Sequence, residues 1–265
     1  MKKIYLLFIG TALFLSCAVD DEEPTLADCA PTSVTLFDEA FTNFIFGSDG
    51  DGGQRVNTIN VYANTDSTIV YTYSYGTDLE TISITEDGAT IVYNATFENG
   101  KLSKLSTAGG TNELAGEIRL VYSGSNVSSL ETWVKADGIL YQVGHFNMTY
   151  DGSGNVIRSE INFDFVMVFT IAFGGVPTSP YAPAFFGSVD YEYGSDSAPN
   201  PLYGTYFMEN PDMGLLKNMP VNIVHKDNAG SVTSSDAYTI TFDDNGYPIK
   251  STSGATYIEA TYVCN

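Results

Sequence analysis

The chain has 265 residues, of which 32 are acidic and 11 basic, and its net charge of −21 excludes nucleic acid and anionic lipid headgroups as partners, because so acidic a surface repels both. Hydrophobic residues make up 43% and aromatic residues 13% of the chain, which excludes a disordered protein and supports a hydrophobic core.

The first sixteen residues have the pattern of a secretory signal. Two lysines precede a hydrophobic run from Ile4 to Leu15, which is too short to cross a membrane as a stable helix. The sequence Phe14-Leu15-Ser16-Cys17 resembles the lipobox of bacterial lipoproteins, in which lipid is attached to the cysteine and cleavage leaves it as the first residue. An ordinary signal peptide is the alternative, disfavoured because the hydrophobic run ends directly at Cys17. We therefore predict a signal peptide over 1–16 and a lipid anchor at Cys17.

Residues 17–30 are predicted to form an acidic tether. Asp20-Asp21-Glu22-Glu23 follows the anchor closely, and like charges repel one another and keep a segment extended. The same run resembles the acidic export signal that carries some Bacteroidetes lipoproteins to the outer face of the outer membrane. Several acyl chains on one cysteine suffice for stable anchoring. We therefore predict a lipid-anchored outer-membrane protein, on the cell surface or the periplasmic face.

The remaining chain, 31–265, is predicted to be a single domain, because no linker-like break follows Pro31. Without the two signal lysines, the mature chain has 9 basic against 32 acidic residues, a net charge of −23. Two cysteines, Cys29 and Cys264, remain near its two ends. In an oxidising envelope a Cys29–Cys264 disulfide is the economical inference, and two free buried thiols are the alternative. No second cysteine or histidine lies near either, which argues against a metal or redox role.

Val34–Phe46 is the best helix candidate in the sequence. Its apolar residues recur at helical spacing, and Asp38 and Glu39 lie near its start. A first β-strand is the alternative for the same segment.

A repeated hairpin pattern runs through the rest of the chain. In Tyr238–Phe242 apolar residues alternate with threonines, the two-residue period of a half-buried strand. Asn245-Gly246 then matches a type I′ turn, which requires positive φ at both central residues. Similar turns are predicted at Asp87-Gly88, Asn99-Gly100 and Asp137-Gly138, and a longer one at Asp151–Asn155. The predicted fold is all-β: an antiparallel meander of hairpins forming a curled sheet or open barrel, with at most one short N-terminal helix.

The most apolar stretch after the signal is Ile161–Phe173, which the alternation predicts to be one long strand. One face of that strand would carry Phe163, Phe165, Met167, Phe169, Ile171 and Phe173. This face is interpreted either as the inner face of the core or as the wall of an apolar pocket. A transmembrane β-strand is a third interpretation, but a lipid anchor would be redundant on an integral barrel. The three prolines in 174–186 predict a long exposed loop.

Motifs typical of catalysis are absent from the sequence. It contains no G-x-S-x-G elbow, no H-E-x-x-H helix and no P-loop. His145 and His225 each stand alone in the sequence. Acidic residues are numerous enough that a glycosidase-type carboxylate pair stays open as an alternative. No catalytic residue, metal ligand or cofactor is predicted.

The C-terminal third resembles a known family. The segments that carry the resemblance are Asn200-Pro201-Leu202-Tyr203-Gly204, Asn218-Met219-Pro220-Val221, Tyr238–Lys250 and Ala260–Cys264. They are similar to uncharacterised Bacteroidetes lipoproteins described as having a porin-like β fold, and the similarity covers most of the chain after about Val56. The resemblance implies a curled antiparallel sheet and an envelope location. It supplies no catalytic or ligand residues.

Three functions are compatible with these observations. The leading one is a noncatalytic, membrane-anchored protein that binds a glycan, peptide or apolar molecule, or that scaffolds a surface complex. An envelope hydrolase using paired carboxylates is the second. The third is a carrier that holds an apolar ligand inside the curled sheet.

Overall fold

The computed structural model describes residues 29–37, 41–48, 54–62, 68–107, 116–178, 181–194, 198–203 and 214–264. The predicted signal peptide, Cys17 and the tether up to residue 28 lie outside these residues. The first strand begins at Cys29, two residues before the predicted start of the domain.

The described residues form strands and a short helix, α1, at Phe165–Ala172. The first strands are β1 Cys29–Phe37, β2 Phe41–Ser48, β3 Gln54–Tyr62, β4 Thr68–Tyr75, β5 Leu79–Glu86, β6 Ala89–Glu98, β7 Lys101–Thr107, β8 Gly116–Ser123, β9 Asn126–Ala136 and β10 Ile139–Tyr150. They are followed by β11 Val156–Phe163, β12 Ala184–Glu192, β13 Ala198–Pro199, β14 Asn218–Met219, β15 Asn222–Asp227, β16 Val232–Ala237, β17 Thr239–Phe242, β18 Pro248–Ser253 and β19 Thr256–Cys264.

Seventeen of these strands form one antiparallel sheet that curls into a nearly closed barrel. From β1 to β12 each strand pairs with its neighbours in sequence, and β12 then pairs with β15. β19 returns to pair with β1, while β13 and β14 form a separate small pair. The predicted all-β, antiparallel meander is confirmed. We call the end of the barrel where β1 begins the Cys29 end, and the opposite end the α1 end.

Alternation along the strands separates a buried inner face from a polar outer face. In β4, Tyr71 and Tyr73 are buried, whereas Thr72 and Ser74 are exposed. The inward residues of successive strands join into one continuous core, whose largest fully buried side chains are Tyr93, Phe44, Ile59, Ile82, Leu102, Leu105, Ile118, Leu130, Leu202 and Val34. The core therefore lies inside the curled sheet.

The predicted two-residue turns are confirmed at three positions. Asp87-Gly88, Asn99-Gly100 and Asp137-Gly138 each have positive φ at both residues, as a type I′ turn requires. The predicted turn at Asn245-Gly246 is wrong in its length. There the Asp243 side chain accepts hydrogen bonds from the main-chain N–H groups of Asn245 and Tyr247, at 2.9 and 2.8 Å, and only Gly246 has positive φ.

The longer turn built on Asp243 recurs twice. The side chains of Asp151 and Asp227 accept the same pair of bonds from the second and fourth residues that follow them. A side-chain oxygen that replaces main-chain acceptors in this way stabilises an Asx turn. The sequence signature of these turns is Asp-x-x-Gly-x, which distinguishes them from the two-residue turns.

Five tyrosines stabilise β-bulges at the Cys29 end. Strands β3, β7, β9, β11 and β18 each have a bulge directly after their first inward residue, which disrupts the ladder there. A tyrosine in or next to the following strand donates its hydroxyl to the main-chain oxygen of that residue. The pairs are Tyr75 with Val56 (2.9 Å), Tyr122 with Leu102 (2.9 Å), Tyr150 with Val127 (2.7 Å), Tyr193 with Val156 (2.8 Å) and Tyr262 with Pro248 (3.0 Å).

The helix predicted over Val34–Phe46 is wrong. Its described residues belong to β1 and β2, which pair with Val34 opposite Phe44. Both side chains are fully buried, and β1 and β2 continue the sheet by pairing with β19 and β3. Long-range pairing therefore overrides the local helical spacing, and the alternative of a first strand is correct.

The single long strand predicted over Ile161–Phe173 is also wrong, because β11 ends at Phe163 and α1 follows. Asp164 causes the change. Its Oδ1 accepts a hydrogen bond from the Met167 N–H at 3.0 Å, as a helix N-cap does, and its Oδ2 accepts one from the Ala182 N–H at 3.1 Å. Met167 and Ile171, one helical turn apart, are buried in a second apolar cluster with Phe163 and Val143.

The two ends of the barrel are covered differently. At the α1 end the cluster beneath α1 packs against the inner residues of β9 and β10. At the Cys29 end Leu202, Leu215 and Leu216 contribute to the main core. Asn200 holds this cover in place: its side chain donates to the Leu216 main-chain oxygen at 2.9 Å and accepts from the Leu202 N–H at 3.0 Å.

Candidate functional site

The outer face of β7 to β12 and of β15, which we call the outer wall, carries connected charged and aromatic side chains. Cross-strand register brings them together: Lys104 is opposite Arg119, and Arg119 is opposite Glu131. Directly opposite residues on one face of an antiparallel sheet have Cβ atoms about 5 Å apart, close enough to interact. The outer wall is therefore the candidate site for a polar partner.

The first group on the outer wall centres on Trp133, the only tryptophan in the chain. The Arg119 guanidinium lies 4.2 Å from the centre of the indole ring and also binds Glu117 Oε2 at 2.8 Å. The indole N–H donates to Glu131 Oε2 at 3.0 Å. Lys104 Nζ lies 3.7 Å from Glu117 Oε1 and extends the group to β7. The indole is held between a cation and a carboxylate.

His145 continues this group onto β10, opposite Glu131. Its Nδ1 lies 2.8 Å from the Tyr181 hydroxyl, which fastens the segment after α1 to the wall. Burial lowers the pKa of His145 below its usual 6.5, and the charge of Glu131 opposes this effect. Burial, together with the charges of Asp164 and Glu131, raises the pKa of Tyr181 to about 12.

The second group centres on Asp190. Arg158 lies opposite it across the β11–β12 ladder, and Arg158 contacts Asp190 Oδ1 at 3.4 Å and Glu160 Oε1 at 3.0 Å. Lys226 in β15 binds the other Asp190 oxygen. Ser188, opposite both Glu160 and Lys226, is buried. Two carboxylates thus share one guanidinium.

The two carboxylates at the centre of the second group are both engaged in ion pairs. Asp190 contacts two cations and Glu160 one. In the described part of the chain no group of three or more histidine, cysteine or acidic residues is arranged to hold a metal ion.

The residues predicted for the apolar pocket are not on one face. Phe163, Met167 and Ile171 are buried under α1, and Phe165 is half-buried beside them. Phe169 and Phe173 are 47% and 76% exposed, and their rings stack on each other outside the core. The pocket itself stays a prediction.

The structure places the predicted disulfide cysteines but does not describe the predicted lipid anchor. Cys17 lies outside the described residues. Cys29 is disulfide-bonded, and the β1–β19 register sets it opposite Cys264. Opposite residues in an antiparallel ladder have Cα atoms about 4.5–5.5 Å apart, within the range that a disulfide spans.

The outer wall was not predicted from the sequence, although a local signal existed. Residues two positions apart in a strand share a face. Three hydrogen-bonded pairs have this spacing: Glu117 with Arg119, Glu131 with Trp133, and Arg158 with Glu160. The joining of these pairs across strands depends on register.

Comparisons with known proteins identify the fold. No family model and no curated protein matches the sequence. Among the described residues no helix is long and apolar enough to span a membrane. The crystal structure of a porin-like protein from Bacteroides vulgatus matches with a TM-score of 0.55 and 16% identity, over 89% of this chain and 99% of that one. A porin-like protein from Bacteroides uniformis matches with a TM-score of 0.55 and 9% identity, over 90% and 98%. The chain therefore has the porin-like β fold of these Bacteroides proteins.

Proposed function

We propose that the protein is a noncatalytic, lipid-anchored outer-membrane protein whose β domain binds a polar partner or scaffolds a surface complex. The observation that carries this proposal is the polarity of the barrel. The apolar side chains of its core face inward, and the exposed residues of β4 and β6 are mainly threonine, serine, asparagine and glutamate. A transmembrane barrel has the opposite polarity, with an apolar band facing lipid. This polarity supports attachment through a lipid on Cys17 as the proposed route to the membrane.

The outer wall supports the binding role. Its cations, carboxylates and indole N–H provide hydrogen-bond donors and acceptors over several strands. Such groups suit a glycan or a polar peptide. The same pairing of carboxylates with cations gives the hydrolase alternative no support.

The carrier alternative also lacks support from the described residues. Large side chains such as Phe44 and Tyr93 fill the interior of the sheet and are almost fully buried. Two of the six residues proposed to line the apolar pocket, Phe169 and Phe173, face outward instead.

The anchor is tested by fractionating envelopes from a host that processes lipoproteins. Wild-type protein is expected to stay with the membranes in a high-salt wash and to be released by detergent. Cys17→Ser is expected to be recovered in the soluble fraction. Cys29→Ser is the matched control, which keeps the anchor and should sediment with the membranes. Retention of Cys17→Ser on membranes would overturn the proposal.

We also propose that the disulfide partner of Cys29 is Cys264. The register of β1 and β19 supports this pairing. Non-reducing peptide mapping should recover one cross-linked peptide containing both residues. A peptide joining Cys29 to Cys17 would contradict both the disulfide and the lipid anchor.

A further inference from the structure

The edge of β16 that faces away from β15 is open. β16 pairs with β15 from Asn222↔Ala237 to Lys226↔Val232, and no other strand of the described residues pairs with it. After Tyr238 the chain continues as β17, which pairs with β18. Within the described residues, the barrel is therefore interrupted beside β16.

Main-chain hydrogen bonds show which edge is open. The Tyr238 N–H donates to Val221 O at 2.8 Å, toward β15, whereas the Asp243 N–H donates to Tyr247 O at 2.9 Å, toward β18. Successive residues of a strand direct their N–H and C=O groups to opposite edges. Ser235 and Ala237 share the direction of Asp243. Their main-chain groups therefore point into the gap.

This edge is accessible and has few protective features. Every residue of β16 except Asp236 is exposed, and the strand contains no lysine and no proline. Proteins usually protect an edge strand with such residues or with a covering segment. Asp236 lies opposite Ile223, and the Ile223 side chain packs against the main core. The Asp236 carboxylate therefore projects from the inner face of the sheet and not along its edge.

We propose that the β16 edge binds an extended, positively charged peptide by β-strand addition. The added strand would run antiparallel to β16, in line with β18, and would use the main-chain groups of Ser235 and Ala237. The net charge of −23 on the mature chain favours a basic peptide. This inference rests on the proposed role as a binding protein but not on the anchor or the outer wall.

The first test is amide hydrogen exchange by NMR on the purified mature protein. In the free protein the Ser235 and Ala237 amides should exchange quickly, whereas those of Ser234 and Asp236, directed toward β15, should be protected. Rapid exchange of all four or protection of all four would contradict the open edge. Protection of Ser235 and Ala237 that appears only at high protein concentration would identify a second copy as the occupant and overturn the peptide proposal.

The second test measures binding of a fluorescein-labelled synthetic octapeptide that alternates lysine with valine. Ser235→Pro removes one N–H from the open edge and should weaken binding about tenfold, the equivalent of one hydrogen bond. Ser235→Ala is the matched control, because both substitutions remove the bond from the Ser235 hydroxyl to Asn222 but alanine keeps the N–H. Circular dichroism verifies that both variants fold.

Two further outcomes would overturn the proposal. One is failure of the lysine peptide to bind the wild-type protein. The other is equal binding of a matched peptide with glutamate in place of lysine, which would remove the charge argument. Neither the hydrogen-exchange test nor the peptide-binding test uses membranes. Recovery of the wild-type protein in the soluble fraction of the fractionation experiment would therefore contradict only the lipid anchor.

Discussion

The barrel closes where β1 meets β19, but in the described structure it leaves one edge of β16 without a partner strand. At the β1–β19 seam, eight residue pairs and the disulfide-bonded Cys29 join the two ends of the domain. At the β16 gap, one strand edge has no partner in the described structure. The closed seam lies over fully buried Val34 and Phe44, whereas every residue of β16 except Asp236 is exposed. The comparison teaches that closure follows burial: the edge left open is the one with little core behind it.

The largest expected effect is loss of the proposed Cys29–Cys264 disulfide at the closed seam. Joining residues so far apart in sequence constrains the unfolded chain, so reduction should lower the free energy of unfolding by roughly 5 kcal/mol. Urea unfolding of the oxidised and reduced protein measures this. Cys17→Ser is the control and should leave the free energy unchanged. Equal midpoints for the oxidised and reduced protein would show that the ladder alone holds the seam.

The next largest loss of stability is expected when a core side chain beneath the seam is removed. Phe44 is 0% exposed, and Phe44→Ala should cost about 4 kcal/mol through lost burial and a cavity. Val232 in β16 is 58% exposed, so Val232→Ala should change stability by less than about 0.5 kcal/mol. Chemical denaturation of both variants tests the contrast. Similar losses for the two substitutions would refute the link between closure and burial.

A smaller effect is expected from the tyrosine that stabilises the bulge next to the closed seam. Tyr262→Phe removes the hydroxyl bonded to Pro248 O at 3.0 Å and should cost about 1 kcal/mol, a fall in Tm of about 2–4 °C. Tyr141→Phe is the matched control, because no hydrogen bond of the Tyr141 hydroxyl occurs within the described part of the chain. Calorimetry should separate the two variants. A Tm for Tyr262→Phe equal to that of the control would mean that the bulge is stable without its tyrosine.

The smallest expected effect is a dependence of stability on pH. It arises on the outer wall, away from the β1–β19 seam and the β16 gap. Burial depresses the pKa of His145, so the folded state favours the neutral imidazole. The associated stability is complete above pH 6.5 and is lost as the pH falls through the depressed pKa. NMR titration of the His145 ring should give a midpoint below 6.5. A wild-type midpoint at or above 6.5 would contradict the burial.

Some of the fold could be read from local sequence because its physical cause is local. The turn at Asp137-Gly138 follows from two residues that tolerate positive φ, and the face of Tyr71 and Tyr73 follows from alternation. The apolar residues of Phe163–Phe173 fit both the alternation of a strand and the spacing of a helix, so local sequence does not distinguish the two. The Asp164 N-cap favours the helix. Register over many strands made the candidate site unpredictable, since Asp190 meets Arg158 and Lys226 only across ladders.

The sequence by itself determined that the chain forms hairpins with one apolar and one polar face, because turn geometry and side-chain alternation depend on adjacent residues. Only the tertiary structure decided that Val34 faces Phe44, that β19 returns to β1 and that no described strand pairs with the second edge of β16. These features arise from pairing between distant segments, where buried area and register outweigh local preference.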